Sequence, residues 1–265
     1  MDVTGGDELA AISRLSRLLP AAPPGQTWLG DDAAVLPDGR LLAIDSVVQN
    51  VHFTDDLESA GWRVVVRNVS DVAAMGGEPD HIVISVAGAV DLDRLYDGAI
   101  AAATEYRCPI VGGDLTSVPG DAVVVTAAIT GHVDGPPVLR SGARPGDVIY
   151  VTGLVGAAAA GGYAARPHAR VAEGRAARLA GATAMIDVSD GLGLDLRRLA
   201  MASGVGVRVE EVPVAPGATE AQAMGGGDDY ELIFTARADA AVAGIRIGVC
   251  TDDPAKLPEP SGWQH

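Results

Sequence analysis

Aromatic residues are scarce in this chain. They make up 4% of 265 residues, with only two Phe and three Trp. The core must be built from Ala, Val, Leu and Ile, and a hydrophobic share of 48% suffices for that. Cysteine is almost missing. Cys108 and Cys250 stand alone and no C-x-x-C occurs, which excludes a disulfide scaffold and a thiolate zinc site and fits a reducing cytoplasm. Basic residues are outnumbered by acids, 19 to 35, for a formal charge of −16. A field of that sign repels nucleic acid and anionic membranes, so neither is an expected partner. A nucleotide carried by a divalent metal stays compatible, because the metal inverts the local charge. A secretory leader is not expected either: Asp2, Asp7 and Glu8 stand where a basic region would be needed. Positions 148–165 lack charge, but Gly153, Gly156, Gly161 and Gly162 interrupt them. That stretch reads as a strand, a turn and a helix start, not as a membrane span.

Periodicity fills in the organisation. Leu9, Ile12, Leu15 and Leu18 predict an amphipathic helix over 7–19, stopped by Pro20. Further helices are predicted over 58–75, 91–106, 169–179 and 191–202. Short apolar runs predict strands at 41–45, 82–87, 110–111, 122–132, 148–152, 183–187, 205–209, 230–235 and 245–249. Strands and helices mix on both sides of Gly135-Pro136-Pro137. The expectation is an α/β (α+β) chain of two domains, 1–137 and 138–265.

The acids are unevenly placed. They collect at the ends of apolar segments beside Gly or Ser: Gly30-Asp31-Asp32, Asp45-Ser46, Asn68-Val69-Ser70-Asp71, Gly112-Gly113-Asp114, Asp187-Val188-Ser189-Asp190-Gly191 and Gly225-Gly226-Gly227-Asp228-Asp229. Any one of them reads as a turn or a helix cap. Asp190 is placed to cap a helix starting at Gly191, and 225–227 alone is a flexible turn. Six clusters of one form are harder to explain that way. If they converge, two carboxylates roughly 4 Å apart repel by about 4 kcal/mol at an effective dielectric near 20. Cations must compensate, and oxygen ligands without His or Cys favour Mg²⁺ shared with substrate phosphates. The residues alone therefore point to a Mg-nucleotide site. G-x-x-x-x-G-K-[ST], H-R-D and D-F-G are all absent, so the chain is neither a P-loop enzyme nor a protein kinase.

Seven strings carry a family resemblance, in order: GDDAAVL (30–36), DSVVQNVHF (45–53), NVSDVAAMGGEP (68–79), GGDLTS (112–117), RSGARPGD (140–147), DVSDGLGLDL (187–196) and GGDDYELIFT (226–235). Together they resemble the thiamine-monophosphate kinases of the aminoimidazole-ribonucleotide-synthetase-like ATP-binding superfamily. The resemblance implies the two-domain fold of that superfamily, with an N-terminal domain that binds ATP and metal and dimerises and a C-terminal α/β domain; as a departure from the family, that second domain is shortened here. It implies phosphoryl transfer from ATP to thiamine monophosphate, giving thiamine diphosphate and ADP, with several Mg²⁺ ions and a homodimer. By position, Asp32, Asp45, Asp71, Asp114, Asp187 and Asp190 match metal-binding acids. Tyr106, Gly113, Asp114, Arg140 and Ser189 match ATP contacts, and His52, Asp228 and Trp263 match substrate contacts. Taken singly, Arg140 would be a surface charge, His52 a loop residue and Trp263 part of a loose tail.

No residue is assigned as a general base. The acceptor is a phosphate monoester with a second pKa of about 6, already ionised at neutral pH. Positioning and charge neutralisation should dominate. Besides the shortened second domain, two departures from the family pattern stand out: Asp228 replaces the usual Glu, and Ala43-Ile44 replace hydroxyl residues. The competing readings are another enzyme of the superfamily, such as aminoimidazole ribonucleotide synthetase, and a non-catalytic metal-nucleotide regulator. The thiamine-type strings argue against the first, and the presence of all six aspartates against the second.

Overall fold

Two five-stranded sheets organise the chain in a computed structural model that describes residues 8–263. The expected helix start at Asp7 lies outside the described residues, as does Asp2. The first half runs α1 (Glu8–Leu18), β1 (Ala34–Val35), β2 (Leu41–Val48), α2 (Leu57–Ala74), β3 (Glu78–Ala87), α3 (Leu92–Glu105), β4 (Ile110–Thr116) and β5 (Val124–His132). Its strand order is β1-β2-β5-β3-β4, antiparallel except for the parallel pair β3–β4. One face is covered. Leu41, Ala43 and Val47, Val125, Ala127 and Ile129, and Ile82, Ile84 and Val86 point into a core shared with Val65, Val69 and Val72 of α2. Asp56 caps α2 by accepting from the Ser59 backbone N–H at 2.9 Å, and Asp91 caps α3 through Arg94 at 3.3 Å. The two helices approach so closely that glycine is required at the crossing. A Cβ on Gly98 would sit 1.8 Å from the Glu58 carbonyl oxygen, and one on Gly61 would sit 1.9 Å from that of Leu95.

The opposite face of this sheet is open. Leu42, Ile44 and Val83 are 42%, 69% and 40% exposed there. Ser46, Thr126, Ser85 and Asp114 form a row across it in cross-strand register, with the Ser46 and Thr126 hydroxyls 2.7 Å apart.

The second half runs β6 (Val148–Val151), α4 (Ala157–Ala160), α5 (Val171–Leu179), β7 (Ala182–Asp187), α6 (Leu192–Ser203), β8 (Gly206–Val209), α7 (Glu220–Gly225), β9 (Leu232–Ala236) and β10 (Ile245–Thr251). Its order is β7-β9-β6-β10-β8, with every pair antiparallel. Ile186, Leu192, Leu196, Leu199, Ile233 and Ile247 fill its core. A third cluster joins the halves: Ala73 and Ala74 of α2 pack with Ala177, Met185, Leu232 and Phe234. Gly174 permits this contact, since a Cβ there would meet the Ala73 carbonyl oxygen at 2.2 Å.

The mixed α/β expectation holds, with local corrections. The strands at 41–45 and 110–111 extend to Val48 and Thr116. Gly112-Gly113 do not break the latter, because Gly113 lies flush on Ile84 of β3 and the ladder continues through it. α7 was not anticipated and absorbs Gly225, expected in a turn; Thr219 and Gln222 start it with a reciprocal capping box. Asp190 does not cap α6. Asp195, one turn inside, accepts from the backbone N–H groups of Asp190 and Gly191, both at 3.0 Å, which leaves the Asp190 carboxylate for other partners. Among the described residues, no helix is long and apolar enough to cross a membrane, and 148–165 is indeed strand, turn and short helix.

Candidate metal and nucleotide site

Three separate segments deliver one carboxylate each to the same place. Asp32 comes from the bend before β1, Asp71 from the last turns of α2 and Asp187 from the end of β7. One oxygen of each lies within 4.8 Å of the others. The Ser70 hydroxyl donates to Asp187 Oδ2 at 2.6 Å and ties α2 to β7 beneath the group. Burial and like charges work against ionisation here. Burial, then the charges of Asp187, Asp45 and Asp32, hold the Asp71 carboxyl well above the usual carboxylate range. Burial and the Asp32 charge push Asp187 up to about 7, against the Ser70 hydroxyl and Arg140. Asp31 rises to about 7 for similar reasons, burial first and Asp32 second. Such a place favours cations. Arg140 supplies one as a fork on Asp32, with Nε to Oδ2 at 3.2 Å and Nη2 to Oδ1 at 2.8 Å. Its backbone N–H also donates to Asp31, which positions the loop.

Asp45 and Asp190 line a cavity of about 380 Å³ together with Asp71 and Asp187, and each of the two, like Asp32, has an arginine. Arg67 Nε donates to Asp45 Oδ2 at 2.8 Å, while the Ser46 N–H takes the other oxygen at 2.6 Å. Arg198 binds Asp190 and, at 2.9 Å, Asp195. The donor set Asp32, Asp71 and Asp187 is all oxygen and fits a hard divalent cation such as Mg²⁺.

A second cavity of about 120 Å³ adjoins the first and gathers His52, Asp228 and Trp263 with Arg63, Tyr163 and Ser189. Backbone bonds assemble it. The Asp228 N–H donates to the Ser189 carbonyl at 2.8 Å, Tyr230 to Val188 at 3.0 Å and Trp263 to Asp190 at 2.8 Å. Asp228 takes a positive φ of 61° to make its turn. The backbone N–H of Val48 donates to His52 Nδ1 at 3.0 Å, so the ring proton sits on Nε2. The Asp228 carboxylate is bound by Arg63, whose side chain is 4% exposed. Arg63 is held in turn by the Ser59 hydroxyl and by the carbonyls of Tyr163 and Ala165.

The structure does not bring Tyr106, Gly113 and Asp114 to either cavity. Asp114 shares a register row with Ser85, Thr126 and Ser46. Asp45 is the neighbour of Ser46 in β2 and so faces the other side of the sheet. Three strand spacings, roughly 14 Å in all, also separate them. The Asp114 carboxylate accepts from the Thr116 hydroxyl at 2.8 Å. The Tyr106 hydroxyl accepts from the Ala169 N–H at 2.9 Å, and its pKa is pushed up to about 12, first by burial. Ile44 also lies on the open face, so a hydroxyl there would face away from Asp71 within one chain.

Arg63, Arg67 and Arg198 escaped the sequence reading. A signal for the first two was present: Arg63, Arg67 and Asp71 follow one another at four-residue steps and share one face of α2.

Comparison with known proteins agrees with this geometry. The N-terminal domain family of AIR synthase related proteins matches residues 30–133, which places the first sheet and its acids in that class. A thiamine-monophosphate kinase of Methanopyrus kandleri is 35% identical, covering 86% of this chain and 84% of its own length. One from Mycobacterium tuberculosis is 34% identical and covers 97% of this chain and 83% of its own. The solved structure of AaThiL complexed with AMPPCP and TMP has a TM-score of 0.89 and 28% identity, and covers 100% of this chain and 99% of that one. The chain belongs to the thiamine-monophosphate kinase family.

Proposed function

We propose that the protein transfers a phosphoryl group from ATP to thiamine monophosphate, producing thiamine diphosphate and ADP. The observation that carries the reading is a pair of adjoining cavities with different chemistry. One is lined by Asp31, Asp45, Asp71, Asp187 and Asp190, with Asp32 grouped against Asp71 and Asp187. The other holds His52, Asp228 and Trp263, with Trp263 offering a flat apolar surface to an aromatic ring. The related AaThiL structure carries AMPPCP, an ATP analogue, together with TMP. Asp32, Asp71 and Asp187 would hold Mg²⁺, with Asp45 and Asp190 beside them. Bound Mg²⁺ would neutralise phosphate charge. Arg140 orients Asp32, Ser70 orients Asp187, and the strapped segments around Ser189 and Asp228 fix the wall between the cavities. The acceptor oxygen is already ionised at neutral pH, so the residues position and neutralise and none serves as a base. The two sheets support a division near residue 137 into an ATP- and metal-binding part and a part that completes the site. Two buried free thiols support a cytoplasmic setting.

The test is direct. Protein with Mg-ATP and thiamine monophosphate is expected to yield thiamine diphosphate by chromatography. Product from free thiamine but not from its monophosphate would overturn the assignment.

The reading includes a homodimer. The open sheet face carries Leu42, Ile44 and Val83 and calls for cover. A second copy seated there would also give Gly113 and Asp114 a route to a site that they do not reach within one chain. Light scattering is expected to find a dimer for the native protein and a monomer for Ile44→Glu. A native monomer at all concentrations contradicts the proposal.

A further inference from the structure

Among the described residues, only three line both cavities: Arg67, Ser189 and Asp190. The junction is where an acceptor phosphate would meet the terminal phosphate of a nucleotide. It is an acidic place, with Asp45, Asp190 and Asp228 around it, and a phosphate settles there only beside a cation, whether a metal ion or an arginine of the protein. The arginines nearby differ in what they have left to give. Arg63 spends Nε on Ser59, Nη1 on Asp228 and Nη2 on two carbonyls. Arg198 is engaged by Asp190 and Asp195. Arg67 spends only Nε, on Asp45. Its Nη1 and Nη2, with four N–H donors, have no acceptor among the described residues, although the side chain is only 9% exposed. Burial works to lower its pKa, but Tyr230, Asp45 and Asp228 outweigh that and raise it, so the charge is permanent.

We infer that Arg67 is a substrate-contacting residue: its two free Nη groups grip the phosphate of the acceptor at the junction and present it to the nucleotide. Asp45 is then the anchor that orients the guanidinium, with Nε as the fixed end and the fork as the working end. The position on α2, one turn before Asp71, couples the grip to the metal-binding acids through a rigid helix. This inference rests on the phosphoryl-transfer reading and adds to it the residue that recognises the acceptor's phosphate.

The test separates the two. Calorimetric titration at fixed Mg²⁺, without nucleotide, compares thiamine monophosphate with free thiamine for the native protein, Arg67→Met and Arg67→Lys. Loss of a charge-assisted fork is expected to weaken binding of the monophosphate roughly 30-fold in Arg67→Met, with thiamine binding unchanged. Arg67→Lys keeps the charge without the fork and is expected to lose about fivefold. It also serves as the readout should Arg67→Met fail to fold. Variants that keep the native ratio of the two affinities, while the native protein binds thiamine monophosphate, overturn the role of Arg67 alone. A native protein that binds neither compound overturns the phosphoryl-transfer reading and this inference together.

Discussion

Asp71→Asn is expected to leave a folded protein whose turnover has dropped about a thousandfold. Asp71 shares the group of three carboxylates with Asp32 and Asp187 and feels the charges of Asp187, Asp45 and Asp32 at once. The amide keeps the size and one oxygen but removes the charge that a divalent cation needs. Neither a cavity nor a clash is created, and a buried like-charge repulsion is relieved, so the melting temperature should not fall. Initial rates across Mg²⁺, with circular dichroism as the control, measure both parts. Normal turnover with a normal Mg²⁺ dependence would remove Asp71 from the metal site.

The largest effect on stability is expected far from the chemistry, at Gly98→Ala. The added Cβ would sit 1.8 Å from the Glu58 carbonyl oxygen and 3.0 Å from the Trp62 backbone nitrogen. Both are helix backbone and cannot rotate away as a side chain could. Alanine gains about 1 kcal/mol of helix propensity over glycine. Forcing α2 and α3 apart costs more, about 4 kcal/mol net, because the core between α2 and the sheet opens with them. At this chain length that is roughly 10 °C in melting temperature. Gly161→Ala is the control: its Cβ would meet the nearest atom at 3.4 Å, an ordinary contact, and little change is expected. Equal melting of the two variants would show that the helix crossing tolerates a methyl group.

Much of this was legible in the sequence. The segments that carry a clear period, 58–75 and 122–132, became α2 and β5, because each presents one apolar face to one core. The acids that end apolar runs, Asp71 and Asp187, are indeed brought together, since a run's end is where a buried element reaches the rim of its sheet. What could not be read depends on partners distant in the chain. Asp114 has the same local form as Asp187, yet it falls on the open face three strands from Asp45, a matter of strand order and pleat that no local string encodes. The roles of Arg63 and Arg198 follow from carboxylates 165 and 8 positions away. Only the four-residue step from Arg63 to Arg67 to Asp71 was there to be read.

Asp187 shows a trade-off between working and lasting. Burial and the Asp32 charge push its carboxyl from the ordinary value of 3.8 up to about 7 in the fold. The folded state therefore holds the proton more tightly. By linkage, Asp187 favours the fold at acid pH, and this contribution is lost as pH rises through about 7. Around neutrality, where the proposed cation-holding role needs it charged, it strains the structure that positions it. A cation taken up with the nucleotide would relieve that strain, so heat resistance would rise with the logarithm of ligand supply and fall when the supply is short. A stabilising replacement at this position would produce a sturdier, idle protein, and heat resistance is better sought at surfaces away from the three acids.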